Sequence, residues 1–169
     1  MTDLTNSLLI ATPTEDPFFA GTIVYINQHE SRGSVGLVLN KPMKMEDQIV
    51  FEKIKPTEFK TRSPVLIGGP ISQNTMFMLE RKKNEPVNIL SQQSIEGLDE
   101  ENHDNYQMIV GLSGWSSNQL DEEIHLGSWI VIPPDLDIIF HPKIEQRYSL
   151  ALQSLSIKPH QLAPACGHA

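Results

Sequence analysis

The chain has 169 residues, of which 39% are hydrophobic and 20% charged, with a formal net charge of −8. That length suits one ordinary domain, and residues 1–169 are read as a single one, while the apolar share excludes a disordered chain. The negative charge argues against direct binding to duplex DNA, because the phosphate backbone is itself an acidic polymer. In chain order, Ser7 to Ala11 is a short apolar run that predicts a buried strand. Asp16-Pro17-Phe18-Phe19-Ala20-Gly21 carries Asp at an N-cap, Pro at the first helical position and Gly past the end, so it predicts a single helical turn. Thr22 to Gln28 and Ser34 to Leu39 predict strands of a hairpin, joined by a polar loop from His29 to Gly33 and ended by Asn40-Lys41-Pro42.

Lys44 to Lys55 has helical spacing of Met45, Ile49, Val50 and Ile54, with Pro56 as the stop. Residues 55–64 are polar and are expected to form a mobile loop. Strands are predicted at Val65 to Ile67, Met76 to Leu79, Asn88 to Leu90 and Gln107 to Gly111, with a weak helical pattern within residues 91–105. From Trp115 to Leu126 the spacing is that of a capping box. Ser116 would be the N-cap, Gln119 its reciprocal partner, Trp115 and Leu120 the hydrophobic staple and Gly127 the C′ residue. Trp129 to Ile132 is a strand closed by Pro133-Pro134, and Pro142 opens a last helix with Ile144, Tyr148, Ala151, Leu152 and Leu155 on one face. Most strands are joined by connections too short for a helical crossover, which favours α+β over a doubly wound parallel sheet. No apolar run approaches the ~20 residues of a membrane-spanning helix. The start Met-Thr-Asp-Leu lacks a secretory pattern, and the lone Cys166 can form no internal disulfide, so a cytoplasmic location without a membrane partner is expected.

Leu9-Ile10-Ala11-Thr12-Pro13, Asp16-Pro17-Phe18-Phe19, Val24-Tyr25-Ile26 with His29, and Gly33-Ser34-Val35-Gly36-Leu37-Val38-Leu39-Asn40-Lys41-Pro42 together resemble the AlgH family, also called YqgE. The resemblance continues at Gly68-Gly69-Pro70, at Trp115 with Gln119-Leu120 and Glu123-Ile124, and at Trp129, Pro134-Asp135-Leu136 and the terminal Gly167-His168-Ala169. It implies a small bacterial cytosolic protein with a mostly antiparallel sheet partly closed into a barrel and flanked by helices. It brings no agreed catalytic set, only a link to regulation of alginate synthesis and the label of transcriptional regulator. The chain departs from the family where Asn27-Gln28 stand in place of Cys-Glu in some relatives, where Leu112 replaces a tyrosine and Glu80 a histidine, and where Asn118 replaces a glycine.

The chemistry-bearing motifs are sparse. Gly68-Gly69-Pro70 follows a strand but no Lys-Ser or Lys-Thr pair follows it, so it is not a Walker loop. Gly33-Ser34-Val35-Gly36 lacks dinucleotide-loop spacing, and Gly111-Leu112-Ser113-Gly114 is half of a nucleophile elbow, with Ser113 more simply a small residue packed at a turn. The six histidines have no metal-ligand spacing, so no metal and no cofactor is assigned. What remains is a set of polar and glycine residues at element ends: Asp16, His29, Asn40, Lys41, Gly68, Gly69, Trp115, Gln119 and Glu123. These are the candidate ligand-binding residues, expected to converge on one polar cleft with Trp115 as its apolar wall. The favoured reading is a non-enzymatic regulatory protein acting through a small molecule or a protein partner. The alternative is an enzyme of unrecognised type, such as a hydrolase, using polar residues at a strand-end cleft.

Overall fold

The structure, a computed structural model, describes residues 2–44, 46–47, 63–91 and 104–162. Eight strands form one sheet: β1 (Ser7–Ala11), β2 (Ile23–Glu30), β3 (Gly33–Val38), β4 (Leu66–Ile67), β5 (Ile71–Glu80), β6 (Asn88–Ser91), β7 (Tyr106–Ser116) and β8 (Trp129–Ile132). Their order is β6-β5-β7-β3-β2-β1-β8, with β4 beside β7. Every pairing is antiparallel except β4 with β7. Among the described residues the α-helices are α1 (Gln119–His125), α2 (Leu136–Ile139) and α3 (Arg147–Ser154). The α+β expectation therefore holds. The partly closed barrel does not: the strand path begins at β6 and ends at β8, and those two edges are not paired with each other.

Alternation along β1, the first half of β2 and the end of β3 gives the sheet two apolar faces. Leu8, Ile10, Ile23, Tyr25, Leu37 and Leu39 point to the face covered by α2 and α3, through Ile138, Ile139, Ala151 and Leu152. Leu9, Val24, Ile26 and Val38 point to the other, covered by α1 through Leu120 and by the turn at Phe18-Phe19. That turn forms as its sequence dictates, for Asp16 Oδ1 accepts from the Phe18 and Phe19 amides at 2.8 and 3.1 Å. Central to the sheet is β7, whose first half pairs with β5 while Ser113 to Ser116 pair with β3.

Three expectations need correction. The loop placed at His29 to Gly33 is strand up to Glu30, so the hairpin turn is only Ser31-Arg32. A register shift between Ile26 and Gln28 leaves Asn27 as a bulge, with Asn27 and Gln28 both exposed. The bulge resets the alternation and turns His29 inward. Strand β7 runs on through Gly111 to Ser116, so Trp115 and Ser116 belong to a strand and not to a helix start. Finally, α2 was not anticipated, although Asp135 caps it by accepting from the Asp137 and Ile138 amides. The predicted helix from Lys44 to Lys55 and the mobile loop at residues 55–64 lie almost wholly outside the described residues, as do the weak helical pattern within 91–105 and the tail that holds Cys166.

Two tyrosines, Tyr25 buried and Tyr148 half-buried, use their hydroxyls inside the fold. Tyr25 Oη donates to Asn6 Oδ1 at 3.0 Å, and Tyr148 Oη, on α3, donates to the Ala11 carbonyl at 2.6 Å. Burial pushes the Tyr25 phenol up to about 12 and raises that of Tyr148 as well. An unfolded tyrosine ionises near ~10, so above that pH the unfolded chain loses protons that the folded chain keeps. The stability these phenols contribute is thus expected to be fully present below about pH 10 and to be lost as pH rises toward 12. Phenolate absorbance followed alongside far-ultraviolet circular dichroism tests this. Ionisation of all the tyrosines near their ordinary value, with no loss of structure, would contradict it.

A candidate site around a paired-indole carboxylate

The helix α1 is short but firmly ended. Ser128 N donates to the Glu123 carbonyl and Gly127 N to that of Ile124, with Gly127 at φ +81, which is the Schellman closure foreseen from Gly127. Its start differs from the expected capping box. The residue before Gln119 is Asn118 at φ 61, a left-handed position that asparagine tolerates. Ser116 Oγ does not cap the helix. Instead Gln119 Oε1 accepts from the Ser116 amide at 3.0 Å and from its hydroxyl at 3.1 Å. Only the back-reaching half of the box is present, and the helix N–H groups are not presented at Ser116.

Closure of α1 over the end of β7 and the start of β8 brings Glu123 between the two tryptophans of the chain. Its Oε2 accepts from Trp115 Nε1 at 2.9 Å and Trp129 Nε1 at 2.8 Å, while Oε1 accepts from Gln119 Nε2 at 2.9 Å. The indoles meet edge to face with centroids 6.0 Å apart, and Phe19 packs on both. Trp115, Gln119 and Glu123 are thus one hydrogen-bonded unit. Replacing Glu123 by Gln keeps an oxygen for the indoles but sets an amide N–H₂ against the Gln119 amide. That loses charge assistance and one bond, an expected destabilisation of about 1–2 kcal/mol. Because both tryptophans sit here, intrinsic fluorescence during urea unfolding reports the change directly. An unshifted midpoint would mean that the carboxylate contributes nothing to the fold.

Lys41, three residues beyond β3, reaches Phe18, whose ring packs edge to face on Phe19. Its Nζ sits 3.8 Å from the Phe18 ring centroid and donates to the Phe18 carbonyl. Partial burial lowers the Lys41 ammonium below its ordinary value, with Asp16 opposing that effect. Asn40 ties strand to strand, its Oδ1 accepting from the Ile23 amide at 3.0 Å and its Nδ2 donating to the Gly21 carbonyl at 2.8 Å. Gly68 and Gly69 are elsewhere, pressed against the β7 backbone at Gly111 to Ser113. Gly68 N already donates to the Val110 carbonyl, and Ser113, fully buried, donates through Oγ to the Gly68 carbonyl at 3.0 Å.

Inside the bulged hairpin, His29 Nδ1 lies 2.8 Å from Ser34 Oγ, and both residues are buried. Its Nε2 points to Asp121 Oδ2 of α1 at 3.7 Å, beyond hydrogen-bond reach. A buried guanidinium was also missed by sequence reasoning. Arg147, only 1% exposed, donates to the Leu39 carbonyl, the His141 carbonyl and Gln107 Oε1. An arginine at the first position of a helix carries no sequence signal of burial. Among the described residues no group of three or more His, Cys, Asp or Glu side chains could hold a metal ion.

An open, mostly antiparallel sheet with helices on both faces and a helix carboxylate clasping two indoles defines the structural class. A family profile described as AlgH-like matches residues 8–160. A protein of Shewanella oneidensis known as a UPF0301 protein is 34% identical over the full length of both chains, 100% of each. One of Vibrio cholerae, with the same designation, is 31% identical over 99% of this chain and 100% of its own. The chain belongs to the AlgH-like family. The solution structure of the AlgH protein from Pseudomonas aeruginosa superimposes with a TM-score of 0.74 at 27% identity, covering 99% of this chain and 97% of that one. A Corynebacterium diphtheriae protein shares the fold with a TM-score of 0.71 at 18% identity, over 91% of this chain and 88% of its own.

Proposed function

We propose that this protein is a non-enzymatic regulator that acts in the cytoplasm by binding a protein partner. The observation that carries this reading is the internal engagement of the polar residues at the strand ends. Glu123 accepts three hydrogen bonds from Trp115, Trp129 and Gln119, and Asn40 spends both ends of its amide on backbone. Such groups hold a surface in shape; a reaction needs them turned toward substrate. The net charge of −8 favours a protein partner over duplex DNA.

A second reading, a hydrolase, draws on the line of Ser34, His29 and Asp121. It ranks lower because Ser34 and His29 are 4% and 6% exposed, and a nucleophile must reach its substrate. Affinity purification of the full chain from its native cells, followed by native mass spectrometry, tests the regulatory reading. The expected result is one stoichiometric protein partner, with only weak binding of duplex DNA at physiological salt. Absence of any partner overturns the reading. Ester or amide hydrolysis abolished by Ser34→Ala would replace it with the second.

A further inference from the structure

The exposed side of α1 carries a feature that the indole cluster does not use. A groove of about 390 Å³ runs along it, lined by Asn118, Asp121, Glu122, His125 and Leu126. Two carboxylates rim it, while Leu126 is 50% exposed and is one of three large apolar side chains so exposed among the described residues. Behind Asp121 stands His29, its side chain 1% exposed and its Nε2 without a hydrogen-bond partner. A buried polar atom left unpaired is costly and calls for a reason. With Nε2 facing a carboxylate, the tautomer that fits carries a proton on Nε2 and accepts from the Ser34 hydroxyl at Nδ1. Asp121 is therefore shared between a buried donor 3.7 Å away and the open groove.

We infer that this groove seats an arginine side chain of a protein partner, with the guanidinium on the Asp121 and Glu122 carboxylates and the aliphatic stem along Leu126. Charge complementarity carries the choice: the rim is acidic, and so is the chain at −8. Arginine suits it better than lysine, since a planar, weakly hydrated guanidinium reads carboxylates and lies against apolar surface. The groove is open to solvent along its length. A free small molecule needs most of its surface covered, whereas a side chain delivered by a docked protein does not. A cation on one Asp121 oxygen leaves the other facing His29 Nε2, 3.7 Å away, so that a small rotation of the carboxylate would bring the two within hydrogen-bond reach. The inference deepens the regulatory reading and rests on it.

The test is a nuclear magnetic resonance titration of the full chain with a capped Leu-Arg-Leu tripeptide, its citrulline counterpart and agmatine. The expected result is saturable shifts at Asp121, Glu122, His125 and Leu126, together with the ring nitrogens of buried His29, which diffuse surface attraction would not move. Binding should weaken about tenfold with citrulline and about tenfold again in Asp121→Asn, as loss of a charge-assisted bond requires. Glu122→Gln, at an exposed position, serves as a second variant that keeps the fold. No saturation, or equal binding of the citrulline peptide, overturns the inference. Agmatine binding as tightly as the tripeptide overturns the protein source in favour of a small organic cation. A native partner that binds Asp121→Asn and the unaltered chain alike sinks this inference while leaving the regulatory reading intact. Absence of any partner sinks that reading, and the titration still decides the groove.

Discussion

Arg147→Ala is expected to destabilise the protein by roughly 3–5 kcal/mol, read as a lower midpoint in urea. The guanidinium joins three parts of the chain. Its Nη1 donates to the Leu39 carbonyl at 2.7 Å, its Nη2 to Gln107 Oε1 at 3.0 Å, and its Nε and Nη2 to the His141 carbonyl at 3.0 and 2.9 Å. Those acceptors belong to the end of β3, to β7 and to the turn after α2. Gln107 is itself held through Nε2 by the Pro64 carbonyl at 2.8 Å. Truncation leaves the three acceptors facing a cavity, and both effects destabilise. One effect opposes them: burial disfavours the charged guanidinium, and its hydrogen bonds to Leu39, His141 and Gln107 go to neutral acceptors. Arg147→Met separates these contributions by keeping apolar volume while removing the donors. It should fall between the native chain and Arg147→Ala. If Arg147→Met equals or exceeds the native stability, the buried charge is a net burden and the hydrogen bonds do not hold the fold. Arg147→Lys should not rescue, because one ammonium cannot reach acceptors on three elements in the directions of a planar fork.

Much of the fold was legible because burial and punctuation agree locally. Strands β1 and β8 are continuous apolar runs closed by proline, and their bounds are those expected from sequence. The turn at Asp16 and the Gly127 closure of α1 are local codes, satisfied within a few residues. What escaped depends on partners distant in sequence. The first half of β5, Ile71 to Thr75, is exposed and polar after Ile71, so it lacks the apolar pattern of a strand. The second half of β7 reads as a glycine turn, because Gly111 and Gly114 hide a strand that is held by pairing with β3. His29 looks like a loop residue because a bulge at Asn27, invisible in the pattern, reverses the alternation. Within the candidate set, Trp115, Gln119 and Glu123 share one unit: Gln119 and Glu123 are four apart on α1, and Trp115 joins them from the end of β7. That Glu123 serves two indoles could not be read, since Trp129 arrives from the next strand.

Gly69→Ala is expected to be among the most damaging single substitutions, at roughly 3–5 kcal/mol or with no folded protein recovered. A β-carbon on Gly69 would lie 2.0 Å from both the carbonyl carbon and the oxygen of Leu112, and 2.3 Å from Ser113 N. Those atoms are backbone of the central strand, so no rotamer change relieves the overlap. The approach is reciprocal, for a β-carbon on Gly111, at φ +76, would meet the Gly69 carbonyl oxygen at 2.6 Å. Here the chain leaves β4 and crosses β7 where its pairing with β5 ends and that with β3 begins. The glycines permit that crossing, and Ser113 secures it through its bond to the Gly68 carbonyl. Gly21→Ala is the control. Gly21 also has a positive φ, +67, but nothing lies within 4 Å of its would-be β-carbon, so only backbone strain of about 1–2 kcal/mol is expected. Urea midpoints of the two variants separate strain from collision. Equal, small shifts would mean that the β4–β7 crossing yields easily. A Gly69→Ala chain that fails to fold beside a folded Gly21→Ala chain would place the Gly-Gly-Pro motif in the architecture of the sheet, where its backbone spacing explains the need for glycine without a bound phosphate.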